Sequence, residues 1–163
     1  MQTFLPFEDF DESARVLDRQ RLGKQRVECK QILRAIHLGG AWKNHPAVRM
    51  WRGHTQYLIR YYYAIVEEWK RRGYKHNMVL DSFVFTQARG EPDAPPWLGT
   101  YSFHERHRAM LVYKNYAYYA PLFEQMGAVA RYQTVYHPSY WWPPANELLY
   151  PVTAIEIDAL VPF

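Results

Sequence analysis

The stretch that decides the fold runs from residue 12 to residue 37 and reads ESARVLDRQRLGKQRVECKQILRAIH. It contains no proline, and its only glycine is Gly23. Asp9 and Asp11 precede its start. Acidic residues favour a helix N-terminus because they complement the helix dipole. The stretch therefore predicts one long helix over residues 12–37.

Positive charge is concentrated in this same stretch. Between residues 15 and 34 the chain has seven Lys or Arg residues and only two acidic ones, and no Lys or Arg follows Arg131. The whole chain has a formal net charge of +4. A basic cluster on one helix favours a polyanionic partner, so the basic end is the predicted nucleic-acid face. An ordinary solvated helix surface is the alternative interpretation.

Length and composition bound the class of protein. The 163 residues fit one compact domain, and contents of 48% hydrophobic and 17% aromatic residues are not those of a disordered chain. No segment offers the roughly 20 apolar residues of a membrane span, so we expect no membrane contact and a cytoplasmic location. Cys29 is the only cysteine, which excludes an internal disulfide and a multi-cysteine zinc site. We expect a monomer that requires no cofactor.

Two further helices are predicted downstream. The second covers residues 44–73, because Pro46 suits a first helical turn and a basic last turn is followed by glycine. The third covers residues 101–113, and Pro121 is predicted to interrupt the aromatic segment that follows it.

The remaining segments follow no clear helical pattern. Residues 74–99 are compatible with a short helix or strand and with loops, and they stay open. Residues 132–163 are rich in aromatic residues and proline and predict an irregular tail with one short edge strand. The predicted fold is mainly α: a single compact domain over residues 1–163 with three principal helices.

One face of the first predicted helix combines apolar ends with a polar middle. Alternating steps of four and three residues align a single stripe, which consists of Leu17, Arg21, Lys24, Glu28, Gln31 and Ala35. Such a pattern is typical of a pocket floor, where a carboxylate can stabilise a developing positive charge or move a proton. Glu28 is therefore the first catalytic candidate. The alternative is an ordinary surface pair with Lys24 one turn away.

Three segments of the sequence resemble a known family in the right order. Residues 17–22, which read LDRQRL, together with Glu28 resemble the first helix of the phage endonuclease V type of pyrimidine-dimer DNA glycosylase and AP lyase. Residues 68–74 are similar to that family's glutamate-and-lysine-rich helix end. Residues 115–119 are similar to its aromatic-basic tail.

The resemblance implies a reaction as well as a fold. It implies a helical protein that binds double-stranded DNA, bends the duplex and turns a base out of it. It also implies that an amine of the protein attacks the sugar and forms an imine, after which the strand breaks. Glu28 matches the family's catalytic glutamate. The family exposes a small second residue as its amine, whereas the bulky Gln2 should leave Met1 in place. The Met1 amine is thus the candidate nucleophile, and Lys24 is the reserve candidate.

Charge, aromatic content and the family positions of Arg21 and Gln31 together predict a set of DNA contacts. The polar and basic candidates are Arg15, Arg19, Arg21, Arg26, Gln31, Arg106, Arg108 and Lys114. The aromatic candidates for base stacking are Tyr116, Tyr118, Tyr119 and Trp142. Arg21 stands where the family has histidine and Gln31 where it has a basic residue, so substrate choice is expected to differ.

Two other functions remain open from the sequence. The chain could be a DNA-binding relative without catalysis, or a nucleotide- or base-modifying enzyme on the same scaffold. His104 and His107 lie three residues apart but lack a fixed third ligand, so no metal site is predicted.

Overall fold

The protein is described by a computed structural model over residues 1–87 and 94–128, which form an extended N-terminal segment and seven α-helices. The helices are α1 (Phe10–Val16), α2 (Arg19–Leu38), α3 (Pro46–Trp51), α4 (Thr55–Arg71), α5 (Phe83–Gln87), α6 (Tyr101–Lys114) and α7 (Tyr116–Gln125). Neither of these two ranges contains a β-strand, which confirms the mainly α fold class. The predicted irregular tail and edge strand lie outside the described residues.

The first predicted helix is in fact two helices, so the prediction of one helix over residues 12–37 was wrong. The chain is extended at Leu17 and Asp18, between α1 and α2. The Asp18 carboxylate accepts the Arg21 N–H at 2.8 Å and so caps the start of α2. The Arg72 guanidinium donates to the carbonyl oxygen of Leu17 at 2.7 Å. The break is stable because side chains satisfy the backbone groups that it leaves unpaired.

The second predicted helix is also broken. α3 and α4 are separated at residues 52–54, where Gly53 has a φ of +81° that only glycine adopts readily. The predicted start is confirmed, since Pro46 is the first residue of α3 and the His45 ring nitrogen Nδ1 accepts the Ala47 N–H at 3.1 Å.

The C-terminal part of the described chain holds the third predicted helix. That prediction is confirmed by α6, but the predicted interruption at Pro121 is wrong because Pro121 lies inside α7. Proline cannot donate a hydrogen bond to the carbonyl of Ala117. Both residues are exposed, so water can take that bond. Of the region left open, α5 is a short helix.

The core lies where α4 packs against α2 and α1, and α3 packs against α2. Large buried side chains such as Trp51, Tyr61 and Leu33 fill it. At Gly23 of α2, an added Cβ atom would lie only 2.9 Å from the Trp69 ring of α4, so the glycine inside this helix permits a close contact. Within the two described ranges, no helix combines the length and apolar character that crossing a membrane requires.

Candidate active site at the N-terminus

The first residues of the chain run in extended form through the core, and Thr3 to Pro6 are buried. An unpaired backbone group is costly there, so each needs a partner. Helix α6 supplies three of them. His107 Nδ1 accepts the Leu5 N–H at 3.2 Å, His104 Nδ1 lies 2.8 Å from the Leu5 carbonyl oxygen, and Arg108 donates to the Pro6 carbonyl at 2.6 Å.

The two histidines of α6 are neutral in this arrangement. His104 Nε2 accepts the Gly99 N–H at 3.0 Å, so its Nδ1 carries the proton that is donated to Leu5. Burial lowers the pKa of His104. Burial, and then the proximity of His104 and Arg108, lowers the pKa of His107 to about 3. Both rings therefore hold the N-terminal segment. In the described part of the chain, no group of three potential ligand side chains could hold a metal ion.

This segment delivers the chain terminus to Glu28. The Met1 nitrogen lies 3.8 Å from Glu28 Oε2, and the same oxygen accepts the Gln2 N–H at 3.0 Å. Glu28 is 8% exposed on α2. Lys24 Nζ lies 3.9 Å from the other carboxylate oxygen, but the Lys24 side chain is 72% exposed. The structure thus brings all three sequence-predicted catalytic candidates together around one carboxylate.

A cavity of about 190 Å³ opens beside this carboxylate. Its lining includes three cationic side chains, Arg21, Lys24 and Lys114, together with Glu28. Burial, and then the charges of Arg21 and Lys24, lower the pKa of Lys114, which indicates that the three cations lie close together. Arg21 also pairs with Asp18 and donates to the Lys114 carbonyl at 3.2 Å. The cavity is therefore suited to an anionic group.

A second depression, of about 410 Å³, is lined in part by Met1. Gln31, Arg34 and Trp42 are part of its lining, and Trp42 is 61% exposed. The His45 ring lies 5.8 Å from the Trp42 ring. The pKa of His45 is lowered, first by burial and then by the Met1 ammonium. The Glu28 carboxylate offsets part of this lowering.

Sequence reasoning missed Trp42 and His45 as site residues. It used His45 only as part of a helix start. The available signal was a tryptophan three residues before the helix cap His45.

The predicted basic contacts occupy different surroundings. Arg15 and Arg19 are exposed and Arg106 is half-buried. Arg26 stacks over the Trp69 ring at 3.9 Å, and Arg108 is 5% exposed and bonded to the N-terminal segment. DNA contact by these residues stays a prediction, and the last two geometries favour structural roles.

The predicted aromatic contacts also differ. Tyr116 and Tyr118 are exposed at the start of α7. Tyr119 is buried, and its hydroxyl accepts the Asp18 N–H at 2.9 Å, so it supports the start of α2. Trp142 lies outside the described residues.

These elements define a helical protein whose N-terminal amine faces a buried carboxylate next to a cationic cavity. A family model described as pyrimidine dimer DNA glycosylase matches residues 1–82, half of the 163-residue chain. The chain belongs to this family of DNA repair glycosylases, whose substrate is DNA. The matched region contains Met1, Lys24 and Glu28, whereas Lys114 lies beyond it. No curated protein and no solved structure matches the chain.

Proposed function

We propose that this glycosylase has an associated AP lyase activity and acts on a damaged or modified pyrimidine in duplex DNA. The observation that carries the proposal is the distance of 3.8 Å between the Met1 nitrogen and the Glu28 carboxylate. An amine nucleophile beside a carboxylate that can accept its proton is the pair that imine chemistry on a sugar needs.

In the proposed reaction, the neutral Met1 amine attacks C1′ of the deoxyribose, and the glycosidic bond breaks as the base leaves with a proton. The sugar ring opens to give a protonated imine between the Met1 nitrogen and C1′. Loss of a C2′ proton then expels the 3′ phosphate and breaks the strand, and water releases the enzyme. Glu28 takes up the ammonium proton and stabilises the positive charge on the sugar.

Two observations favour Met1 over Lys24 as the nucleophile. Met1 belongs to an anchored segment, whereas Lys24 is 72% exposed and its position is less restricted. An α-amino group also loses its proton more readily in water than a lysine side chain does, so more of it is neutral near neutral pH. Lys24 is then proposed to bind DNA phosphate.

The cationic cavity accounts for substrate binding in this proposal. Arg21, Lys24 and Lys114 surround the approach to Glu28, where a phosphate next to the target sugar would lie. The exposed Tyr116 and Tyr118 lie two and four residues after Lys114, and we propose that they stack on bases. Double-stranded DNA is thus held with its backbone against α2 and the start of α7.

Cleavage and trapping of labelled duplexes test this function. Ultraviolet-irradiated, abasic and undamaged duplexes are incubated without metal, with borohydride added to one half of each sample. We expect strand breaks and a covalent adduct on abasic DNA and on one class of damaged pyrimidine, and neither on undamaged DNA.

Two matched changes, acetylation of the N-terminus and the substitution Lys24→Ala, identify the nucleophile. Acetylation of the N-terminus should abolish the adduct, while Lys24→Ala should retain much of it. An adduct that survives acetylation and disappears in Lys24→Ala would transfer the role to Lys24. Duplex binding without cutting or trapping would instead identify an inactive DNA-binding relative.

A further inference from the structure

Gln25 is a buried polar residue of α2 with 1% exposure, and it contacts the N-terminal segment at two points. Its Oε1 accepts the Phe4 N–H at 2.9 Å, and its Nε2 donates to the Gln2 carbonyl at 3.0 Å. The Tyr61 hydroxyl lies 2.9 Å from the same Oε1 and 2.6 Å from the Phe4 carbonyl oxygen. One primary amide therefore pairs with two main-chain groups of a single extended segment.

This pairing depends on register. In an extended chain, successive peptide groups point in opposite directions, so the Gln2 carbonyl and the Phe4 N–H lie on the same side. A slip by one residue would turn both groups away from Gln25. Because Gln25 and Glu28 are three residues apart on one helix, the amide and the carboxylate keep a fixed spacing.

We infer that Gln25 is a positioning residue that sets the register of the N-terminal segment and so places the Met1 nitrogen next to Glu28 Oε2. A primary amide offers a donor and an acceptor side by side at any pH, whereas an ionised carboxylate offers only acceptors and a hydrocarbon neither. The register itself follows from hydrogen bonds alone. The catalytic consequence rests on the proposed imine chemistry.

The inference separates catalysis from DNA binding. Gln25 also lines the cavity beside Glu28, but it is 1% exposed and both ends of its amide pair with the N-terminal segment, so its replacement should affect the affinity for DNA much less than the rate. Displacement of a reacting group by about 1 Å lowers a rate on the order of 100-fold. We therefore expect a loss in the rate of imine formation with little change in substrate affinity.

The first experiment measures register without any activity. The folded chain is treated with a nonspecific aminopeptidase, and loss of Met1 is followed by mass spectrometry. Wild type should keep Met1, and Gln25→Met, which has similar volume but no hydrogen-bonding amide, should lose it at least about 10-fold faster, as a locally released segment does. Tyr62→Phe, which removes a polar contact of α4 with Met78 away from the site, is the matched control and should behave as wild type.

Gln25→Leu keeps the test decisive if Gln25→Met does not fold. Leucine has neither the acceptor for the Phe4 N–H nor the donor for the Gln2 carbonyl, so Met1 should again be released faster. Rapid loss of Met1 from folded wild type, or wild-type protection in folded Gln25→Met or Gln25→Leu, would overturn the inference.

The second experiment uses the imine. Borohydride-trapped adducts with abasic duplex are formed under single-turnover conditions and mapped to the modified amine. Gln25→Met should bind DNA with an affinity close to that of wild type and trap about 100-fold more slowly, with a smaller share of the adduct at Met1. A smaller amount of adduct located wholly at Met1 would indicate only a structural role and contradict the inference. If wild type forms no adduct, the proposed function fails, while the aminopeptidase result still decides the register.

Discussion

Lys114 and Arg26 carry their charges in different surroundings. Lys114 lines the cavity beside Glu28, whereas Arg26 stacks over Trp69 and contacts the His76 ring at 3.1 Å. We expect Lys114→Ala to weaken duplex binding and to reduce the log–log salt slope by about one. Arg26→Ala should leave that slope nearly unchanged and lower the thermal midpoint instead.

Fluorescence anisotropy titrations at several salt concentrations measure both slopes. A slope reduced by Arg26→Ala as much as by Lys114→Ala would restore the phosphate contact that the sequence predicts for Arg26. An unchanged slope in Lys114→Ala would remove the cavity from the DNA interface.

His107 makes stability depend on acid. Its pKa is lowered from 6.5 to about 3 by burial and neighbouring charge. The unfolded chain therefore binds a proton at this ring between these values while the folded chain does not. The stability that the neutral ring contributes is complete above about pH 6.5 and is lost as the pH falls toward about 3, by an amount of several kcal/mol.

Chemical denaturation at pH values from 7 to about 4 measures this loss. His107→Asn keeps an acceptor for the Leu5 N–H but has no ring to protonate. It should show a weaker acid dependence than wild type, although it is less stable at pH 7 because the ring packs against Phe103 at 4.4 Å. Equal acid dependence in both proteins would show that other groups, such as His104, dominate.

The catalytic candidates could be proposed from the sequence, but the residues that hold the N-terminal segment in place could not. Glu28 and Lys24 stand out because both lie on one face of a single helix, and local spacing is sufficient to align them. The hydrogen bond from the Leu5 N–H to His107 joins residues 102 positions apart, and no local pattern encodes such a contact. For the same reason, the burial of Arg108 and the role of Gln25 could not be read from the chain alone.

At the scale of elements, the break between α1 and α2 depends on Arg72. Its guanidinium donates to the Leu17 and Arg15 carbonyls and pairs with Glu68 at 2.6 Å. We expect Arg72→Ala to lower the free energy of unfolding by about 2 to 4 kcal/mol, since it removes several charge-assisted hydrogen bonds to half-buried groups.

Arg71→Ala is the matched control for Arg72→Ala. Arg71 pairs with the same Glu68 carboxylate at 2.6 Å, but its side chain is 67% exposed and contacts no carbonyl of the break. Its removal should change stability much less, because solvent screens exposed ion pairs. If both variants lose the same free energy of unfolding in denaturant titrations, Arg72 stabilises the fold by pairing with Glu68 and not by supporting the break between α1 and α2.

The helical elements could be predicted in kind but not in extent. Apolar spacing continues across Leu17 and across Gly53, so periodicity alone predicts unbroken helices there. The break at Leu17 is stabilised by Arg72 from 55 positions away. α7 shows the opposite error: Pro121 is locally unfavourable, yet an exposed helix face tolerates it.

At the scale of the whole molecule, the site is assembled from distant parts of the chain. The N-terminal segment is held by α2, α4 and α6, so no small part of the described chain can form the site alone. We expect Met1 to become accessible to aminopeptidase over the same temperature range in which the helical circular dichroism signal is lost. Release of Met1 well below that range would mean that the segment opens locally, without the core. That residues 1–163 form one domain stays a prediction.

Single-turnover cleavage of an abasic duplex by Glu28→Gln tests the central claim most directly. The amide preserves the size of the side chain and an oxygen for the Gln2 N–H, but it removes the charge that faces the Met1 nitrogen. We predict a folded protein that binds the duplex as tightly as wild type and cleaves it about 100- to 1000-fold more slowly, as expected when a preorganised electrostatic group is lost. Cleavage at nearly the wild-type rate by a folded, DNA-binding Glu28→Gln protein would contradict the account.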